Sequence, residues 1–146
     1  MERKFSSRGV LLRQVTLWDQ EAFDEWERAV DAHVAAPNVP HTRRIDGLLL
    51  IGWQRTAIEV KVSRSDFTNE THEKTRAWKG HSHRFVYLTP PGLLSPIEVG
   101  DAGLWETDGR RVDVIKKAIV RREVPDFPDN FVRTLIWRTA MAEVTR

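Results

Sequence analysis

Hydrophobic and polar positions along the chain change rhythm several times, and each change marks an element. In residues 17–35, LWDQEAFDEWERAVDAHVA, neither Gly nor Pro interrupts, and Phe23, Trp26, Val30 and Val34 recur at helical spacing. This predicts an amphipathic helix packed through that stripe, closed off by Pro37 and Pro40. Two apolar, β-branched runs follow, 44–51 and 56–63. They are joined by the short polar turn 52–55 and read as an antiparallel hairpin. Ser63 and Asp66 have capping-box spacing, so a polar helix should run to about Lys79 and end at Gly80.

Residues 84–89 form another strand, stopped by Pro90-Pro91-Gly92. Short strands at 103–106 and 112–120 flank the turn at Asp108-Gly109. A last helix starts at 126–129, with Phe131, Leu135 and residues 137–141 supplying apolar contacts. The order is helix, strand, strand, helix, strand, a β-rich extension and a closing helix. The fold class is α/β with a mixed sheet, because the regular alternation of a doubly wound sheet is missing. With 146 residues and no repeat or linker, residues 1–146 make one domain.

Strand geometry gives the second run its interest. Side chains alternate between faces, so Ile58, Val60 and Val62 point one way, as a core face, and Ala57, Glu59, Lys61 and Ser63 the other. A carboxylate and an ammonium thus stand two residues apart in a strongly β-forming segment. Folding the hairpin at 52–55 brings residues 45–47 opposite 59–61, so Asp46 joins them. Two carboxylates from separate strands suit a hard divalent cation such as Mg²⁺, which keeps waters and shares its shell with phosphate. The lysine can orient an attacking water and offset charge growing on a phosphoryl group. A same-face surface pair of Glu59 and Lys61 is the plain alternative, worth under about 1 kcal/mol.

Asp46 followed by twelve residues and then Glu59-Val60-Lys61, on a hairpin between two helices, resembles the PD-(D/E)xK nuclease superfamily. Residues 45–92, with Glu-Val-Lys-Val-Ser-Arg-Ser-Asp-Phe and the later Arg-Phe-Val-Tyr-Leu-Thr-Pro-Pro-Gly, look more narrowly like its MmcB-type DNA-repair branch. The resemblance covers about a third of the chain. It implies a restriction-endonuclease-like αβββαβ core, Mg²⁺-assisted hydrolysis of phosphodiester bonds (with Mn²⁺ able to substitute) and a DNA substrate. It carries the metal ligands onto Asp46 and Glu59 and the lysine onto Lys61. The family's proline before the aspartate is replaced by Ile45. Some members add an acid from the first helix. Asp24, Glu27 and Asp31 share one stripe there, and Glu27 is the central choice for a third ligand, against the alternative of a solvated acidic face.

Charge agrees with a polyanionic partner. The net charge is only +2, yet residues 43–122 hold 15 basic against 10 acidic residues. Arg43, Arg44 and Arg64 flank the site and Lys74 falls on the inner stripe of its helix, where they would neutralise phosphates without reading bases. For Lys74, a lysine snorkelling past core residues is the equal alternative. Trp53, at the hairpin turn, and Trp105 are candidates to stack on a base. The chain has no cysteine, which excludes disulfides and thiolate metal sites and fits a reducing interior. His81 and His83, spaced i and i+2 with no third ligand, make a poor zinc pair and suit a loop or strand edge. No apolar run approaches the roughly 18 residues of a membrane span, and the N-terminus lacks a signal-peptide core, so a soluble cytoplasmic protein is expected. Homodimerisation to cut both strands of a duplex is left open. The competing function is a nuclease-fold binding or assembly module without catalysis.

Overall fold

A strand that the pattern did not announce starts the structure. The computed structural model describes residues 9–35 and 41–144. Within it, β1 (Gly9–Trp18) pairs antiparallel with β2 (Thr42–Ile51) from Gly9↔Ile51 to Trp18↔Thr42. The expected first helix therefore starts later, as α1 (Gln20–Asp31). The cause is local: the Asp19 carboxylate accepts the Ala22 N–H at 3.1 Å and caps the helix. The stop assigned to Pro37 and Pro40, and most of the N-terminal stretch, lie outside the described residues.

The hairpin forms between β2 and β3 (Gln54–Val60), with Gly52 at φ 58° in a turn that only glycine adopts freely. The polar helix expected to run unbroken to Lys79 is instead two pieces, α2 (Arg64–Thr68) and α3 (His72–His81). Ser63 caps the first through the Asp66 N–H, as its spacing predicts. The break falls on Asn69-Glu70-Thr71: Glu70 N–H turns to the Phe67 carbonyl, and Lys74 N–H to that of Thr71, the residue that opens α3. Asn and Thr favour caps over helix interiors. That break becomes important below.

β4 (Arg84–Thr89) runs parallel to β3 and β5 (Gly103–Thr107) parallel to β4. These connections pass through α2 and α3 and through a 3₁₀ turn at Pro96–Val99. β6 (Val112–Lys116) closes the sheet antiparallel to β5 and is shorter than the expected 112–120. Beyond it, Ile119 N–H bonds the Asp101 carbonyl and Arg121 N–H the His83 carbonyl. The closing helix is α4 (Asp129–Val144). The architecture is a mixed α/β fold of four helices on one six-stranded sheet whose spatial order follows the chain. β1, β2 and β3 make an antiparallel trio, but α1 lies between the first two rather than ahead of all three. Among the described residues, no helix is long and apolar enough to cross a membrane.

Two expectations about faces are reversed. Ile58 is buried, but Val60 is half exposed and Val62 is 69% exposed; the principal core instead takes Ala57, on the side of Glu59 and Lys61. That side is covered by α3, whose Trp78 is fully buried, donates Nε1–H to the Arg43 carbonyl at 2.9 Å and packs edge-on against Phe131. On α1 the buried residues are Ala22 and Ala29, while Trp26 and Val30, like Val34 beyond the helix end, are exposed. Phe23 joins Trp18, Trp26 and His41 in an aromatic group instead of entering the core. In α4, Phe131 enters the core and Leu135 packs against it, whereas Ile136 and Trp137 are exposed.

A candidate active site between the hairpin and the broken helix

The β2–β3 register ends at Gly47↔Ile58, which leaves Asp46 and Glu59 facing each other one step beyond the ladder. The regular pattern is disturbed here. Across β1 and β2 the pairs Arg13↔Gly47 and Val15↔Ile45 form, but Gln14 and Asp46 between them do not pair, and Gln14 sits at φ 49°. The buried positions of β2 also change phase at this point, from Arg43 and Ile45 to Leu48. Asp46 is thereby free to turn to β3, where its Oδ2 accepts the Val60 N–H at 2.8 Å.

Lys61 follows at the end of the same strand, its N–H bonded to the Leu88 carbonyl at 3.0 Å. Its side chain is only 7% exposed, and Nζ lies 3.0 Å from Glu70 Oε1, 3.4 Å from Glu59 Oε1 and 3.9 Å from Asp66 Oδ1. Glu70 is as deeply covered as Lys61 and accepts the Tyr87 hydroxyl on its other oxygen. The break between α2 and α3 is what turns Glu70 inward. One ammonium thus sits among Glu59, Asp66 and Glu70, with Asp46 adjoining. The electrostatic consequence appears at Glu59, whose carboxyl is pushed up to about 7 by burial first, then by the charges of Asp46 and Glu70, with Lys61 only partly offsetting them. For Lys61, burial works against the charged form, but the hydrogen bond and charge of Glu70, with Glu59 and Asp66, outweigh it and raise its pKa. Tyr87 is also raised, by burial and then by Glu70, and stays a neutral donor.

These groups line an open cleft of about 590 Å³ that also receives Arg44, Lys74 and Asn69. Of the residues marked in the sequence, Asp46, Glu59, Lys61, Arg43, Arg44 and Lys74 come together here, the last as an exposed residue at the rim. Three of the marked residues do not serve as expected. Glu27 is exposed on α1 and does not line the cleft, because the helix turns its acids elsewhere: Glu21 and Glu25 face Arg76. Arg43 lines the cleft, but its Nε is held by buried Asp19 Oδ2 at 2.9 Å, so its charge is already offset. Arg64 is held by Glu98 and by the Leu93 carbonyl, away from the cleft. Trp53 is 96% exposed at the hairpin tip, Trp105 is half-buried, and neither lines the cleft. His83 Nδ1 accepts the Arg55 N–H and His81 stacks on Phe127, which gives both a structural place. Glu70 and Tyr87 are the site residues that sequence spacing missed. The only signal was Asn69 and Thr71, two poor helix formers bracketing a glutamate.

Among the described residues, no group of three or more His, Asp or Glu side chains is arranged as a ready-made metal cage. The residues that could hold a metal are Asp46 and Glu59. Asp46 Oδ1 and Glu59 Oε2 have no hydrogen-bond partner among the described residues, and burial, with the charges of Asp46 and Glu70, disfavours the Glu59 carboxylate until a cation offsets it. An all-oxygen pair fits a hard divalent cation that keeps most of its water, and fits zinc poorly.

No family model matches the chain, and no curated protein does. Among solved structures it is similar to the SPO1766 protein of unknown function from Silicibacter pomeroyi. The TM-score is 0.55 and the identity 17%, with 97% of this chain and 78% of that chain covered. A likeness at that identity concerns the fold alone.

Proposed function

We propose that the chain is a Mg²⁺- or Mn²⁺-dependent nuclease of the PD-(D/E)xK type that hydrolyses phosphodiester bonds in DNA. A cytoplasmic role in repair, recombination or phage DNA processing follows from that reading. The observation that carries it is the position of Asp46 and Glu59 opposite each other one step beyond the β2–β3 ladder, with Glu59 pushed up to about 7 and Lys61 beside it. A carboxylate pair that resists full ionisation gains most from a cation placed between its free oxygens.

When bound, the metal would polarise a phosphoryl oxygen and acidify its water. The rest falls to the chain. Asp46 is fixed by the Val60 N–H, so its free oxygen is presented without rearrangement. Glu59 gives up its proton as the cation is taken up. Lys61, steered by Glu70 and Tyr87, offsets the charge that grows as a water oxygen adds to phosphorus and the P–O bond to the sugar breaks. Arg44 and Lys74 at the cleft hold flanking phosphates.

One observation favours the module without catalysis: Lys61 already has Glu59, Asp66 and Glu70 around it, which neutralises the cation a reaction would need. Labelled single-stranded, double-stranded and branched DNA and RNA, incubated with Mg²⁺, Mn²⁺ or EDTA, separate the two. Cleavage of DNA that EDTA abolishes is expected. Binding without cleavage under every condition would leave the module, and cleavage persisting in chelator would move the chemistry elsewhere.

A further inference from the structure

A second cleft, of about 760 Å³, shares no lining residue with the first. Its volume is within the range of small-molecule sites. Phe67, Phe85 and Tyr87 line it and touch edge to face, with 5.3 Å between the centroids of Tyr87 and of each phenylalanine. Two cations are fixed beside this aromatic wall. Lys79 holds Nζ 5.1 Å from the Phe85 ring centroid, and Arg121 donates one Nη to the Lys79 carbonyl at 2.7 Å, which orients its guanidinium.

Ser82 also lines the cleft. It is 1% exposed, and its Oγ has no hydrogen-bond partner in the structure. Buried hydroxyls are satisfied as a rule, so one left over beside a cavity points to a missing acceptor. Next to it, His83 accepts the Arg55 N–H on Nδ1, which in the neutral ring puts its proton on Nε2 as a donor. Of the two acids on the lining, Glu98 is paired with Arg64 and Asp101 is exposed. The cleft thus combines an aromatic wall, two cations and two unspent donors.

We propose that this cleft binds a small aromatic anion, a planar ring carrying a phosphate or carboxylate and no larger than a mononucleotide. The ring lies against Phe85 and Tyr87, Lys79 and Arg121 supply the counter-charge, and Ser82 donates to the anionic group. This does not depend on the nuclease reading: the two clefts share no lining residue, and Tyr87 alone serves both, its hydroxyl on Glu70 and its ring on this cleft.

Titration calorimetry on the metal-free protein tests it, with thymidine 5′-monophosphate and 4-hydroxybenzoate as the probes for the two kinds of anion. Thymidine and inorganic phosphate each carry half of the recognised chemistry. At least one probe should bind, with the matching half-ligands weaker by roughly 10-fold or more. Lys79→Gln should weaken that binding by about 10-fold. Ser82→Ala should weaken it by a few-fold while leaving the melting temperature of the free protein unchanged or higher, since it removes an unsatisfied hydroxyl. Lys74→Gln, in the other cleft, should leave it unchanged. The proposal is overturned if neither probe binds at millimolar concentration or if inorganic phosphate binds as well as the nucleotide. It is equally overturned if Lys74→Gln weakens binding and Lys79→Gln does not.

Discussion

Strand β2 carries two groups of buried charge only three residues apart, and they balance it to different degrees. At Arg43, one deeply buried carboxylate, Asp19, sits between two guanidiniums, with Arg43 Nε at 2.9 Å and Arg76 Nε at 3.4 Å, and the more exposed Glu21 and Glu25 complete Arg76 from the surface. Burial opposes the charge of Asp19, but its hydrogen bonds from Arg43 and the Ala22 N–H, with the charge of Arg76, overcome this and lower its pKa. At Asp46 the deficit of positive charge is larger and deeper: one ammonium faces several carboxylates, and Glu59 is held up to about 7. The first group is neutralised by its own chain and ties α1 and α3 to β2. The second has more negative charge than its chain can neutralise. A fold tolerates such an excess where something from outside completes it, so the charge ratio, and not burial alone, separates a structural cluster from a candidate site.

The sharpest break in this comparison is functional. Asp46→Asn and Glu59→Gln should each reduce cleavage to background and abolish Mg²⁺ binding, yet leave the fold as stable as before or more so, since each removes a repelling charge. Lys61→Ala should lower the rate by on the order of 10²–10³ while retaining the metal. Calorimetry with Mg²⁺ beside a cleavage assay checks both. If Lys61→Ala loses metal as severely as Asp46→Asn, the roles are misassigned.

Asp19→Ala should show the reverse signature. It strands the buried Arg43 guanidinium and takes one of three carboxylates from Arg76, which keeps Glu21 and Glu25; a loss on the order of 3–5 kcal/mol in denaturant unfolding is expected, and the helix cap goes with it. The cleavage rate per folded molecule should be preserved at low temperature. A stability loss under about 1 kcal/mol would mean that Asp19 is not the centre of a structural cluster.

Titration sharpens the same contrast. A carboxyl raised from its ordinary 4.5 to about 7 keeps its proton better when folded than when unfolded. In chelator, its contribution to stability is therefore full below pH 4.5 and lost as pH rises toward 7, by up to on the order of 3 kcal/mol. Asp19, with its pKa lowered, contributes above its ordinary 3.8 and is lost only as pH falls further. Thermal melts of wild type and Glu59→Gln from pH 4 to 8 should differ in slope between about pH 4.5 and 7. Saturating Mg²⁺ should restore the lost stability at pH 8 and do little at pH 5. Parallel curves for the two proteins would remove the charge excess from the argument.

Sequence alone reached the hairpin, β4 and the convergence of Asp46, Glu59 and Lys61, because strand alternation and a short turn dictate register almost by themselves. It missed β1, whose partner lies across a helix, and whose alternation is interrupted at Gln14, where the strand kinks. Helical periodicity also misread α1: small Ala22 and Ala29 are its buried positions, and the larger Trp26 and Val30 stay outside. Glu70 was out of reach for a different reason. Its place depends on a helix break between two capping residues, and local propensity marks such breaks only weakly. Arg43 and Arg64 were assigned to phosphate because they are basic and nearby in sequence, but proximity along the chain carries no information about which acid already holds them.

That reassignment yields the smallest effect. Among the arginines and lysines first assigned to phosphate, Arg44 and Lys74 line the cleft without an ion pair among the described residues, whereas Arg64 is held by Glu98. Each phosphate contact released should lower the log–log salt slope of binding by about 0.9 for duplex or about 0.7 for single strands. Arg44→Ala combined with Lys74→Ala should therefore flatten the slope by between one and two units and weaken binding alike across sequences, since neither residue reads bases. Arg64→Ala should leave the slope unchanged, because its guanidinium is already neutralised and its loss frees Glu98 on another face. Fluorescence anisotropy from 50 to 200 mM salt resolves differences of that size. Should Arg64→Ala flatten the slope as much as the double variant, the Glu98 pair would have to open on DNA, and the binding face would extend past the cleft along α2 toward the 3₁₀ turn.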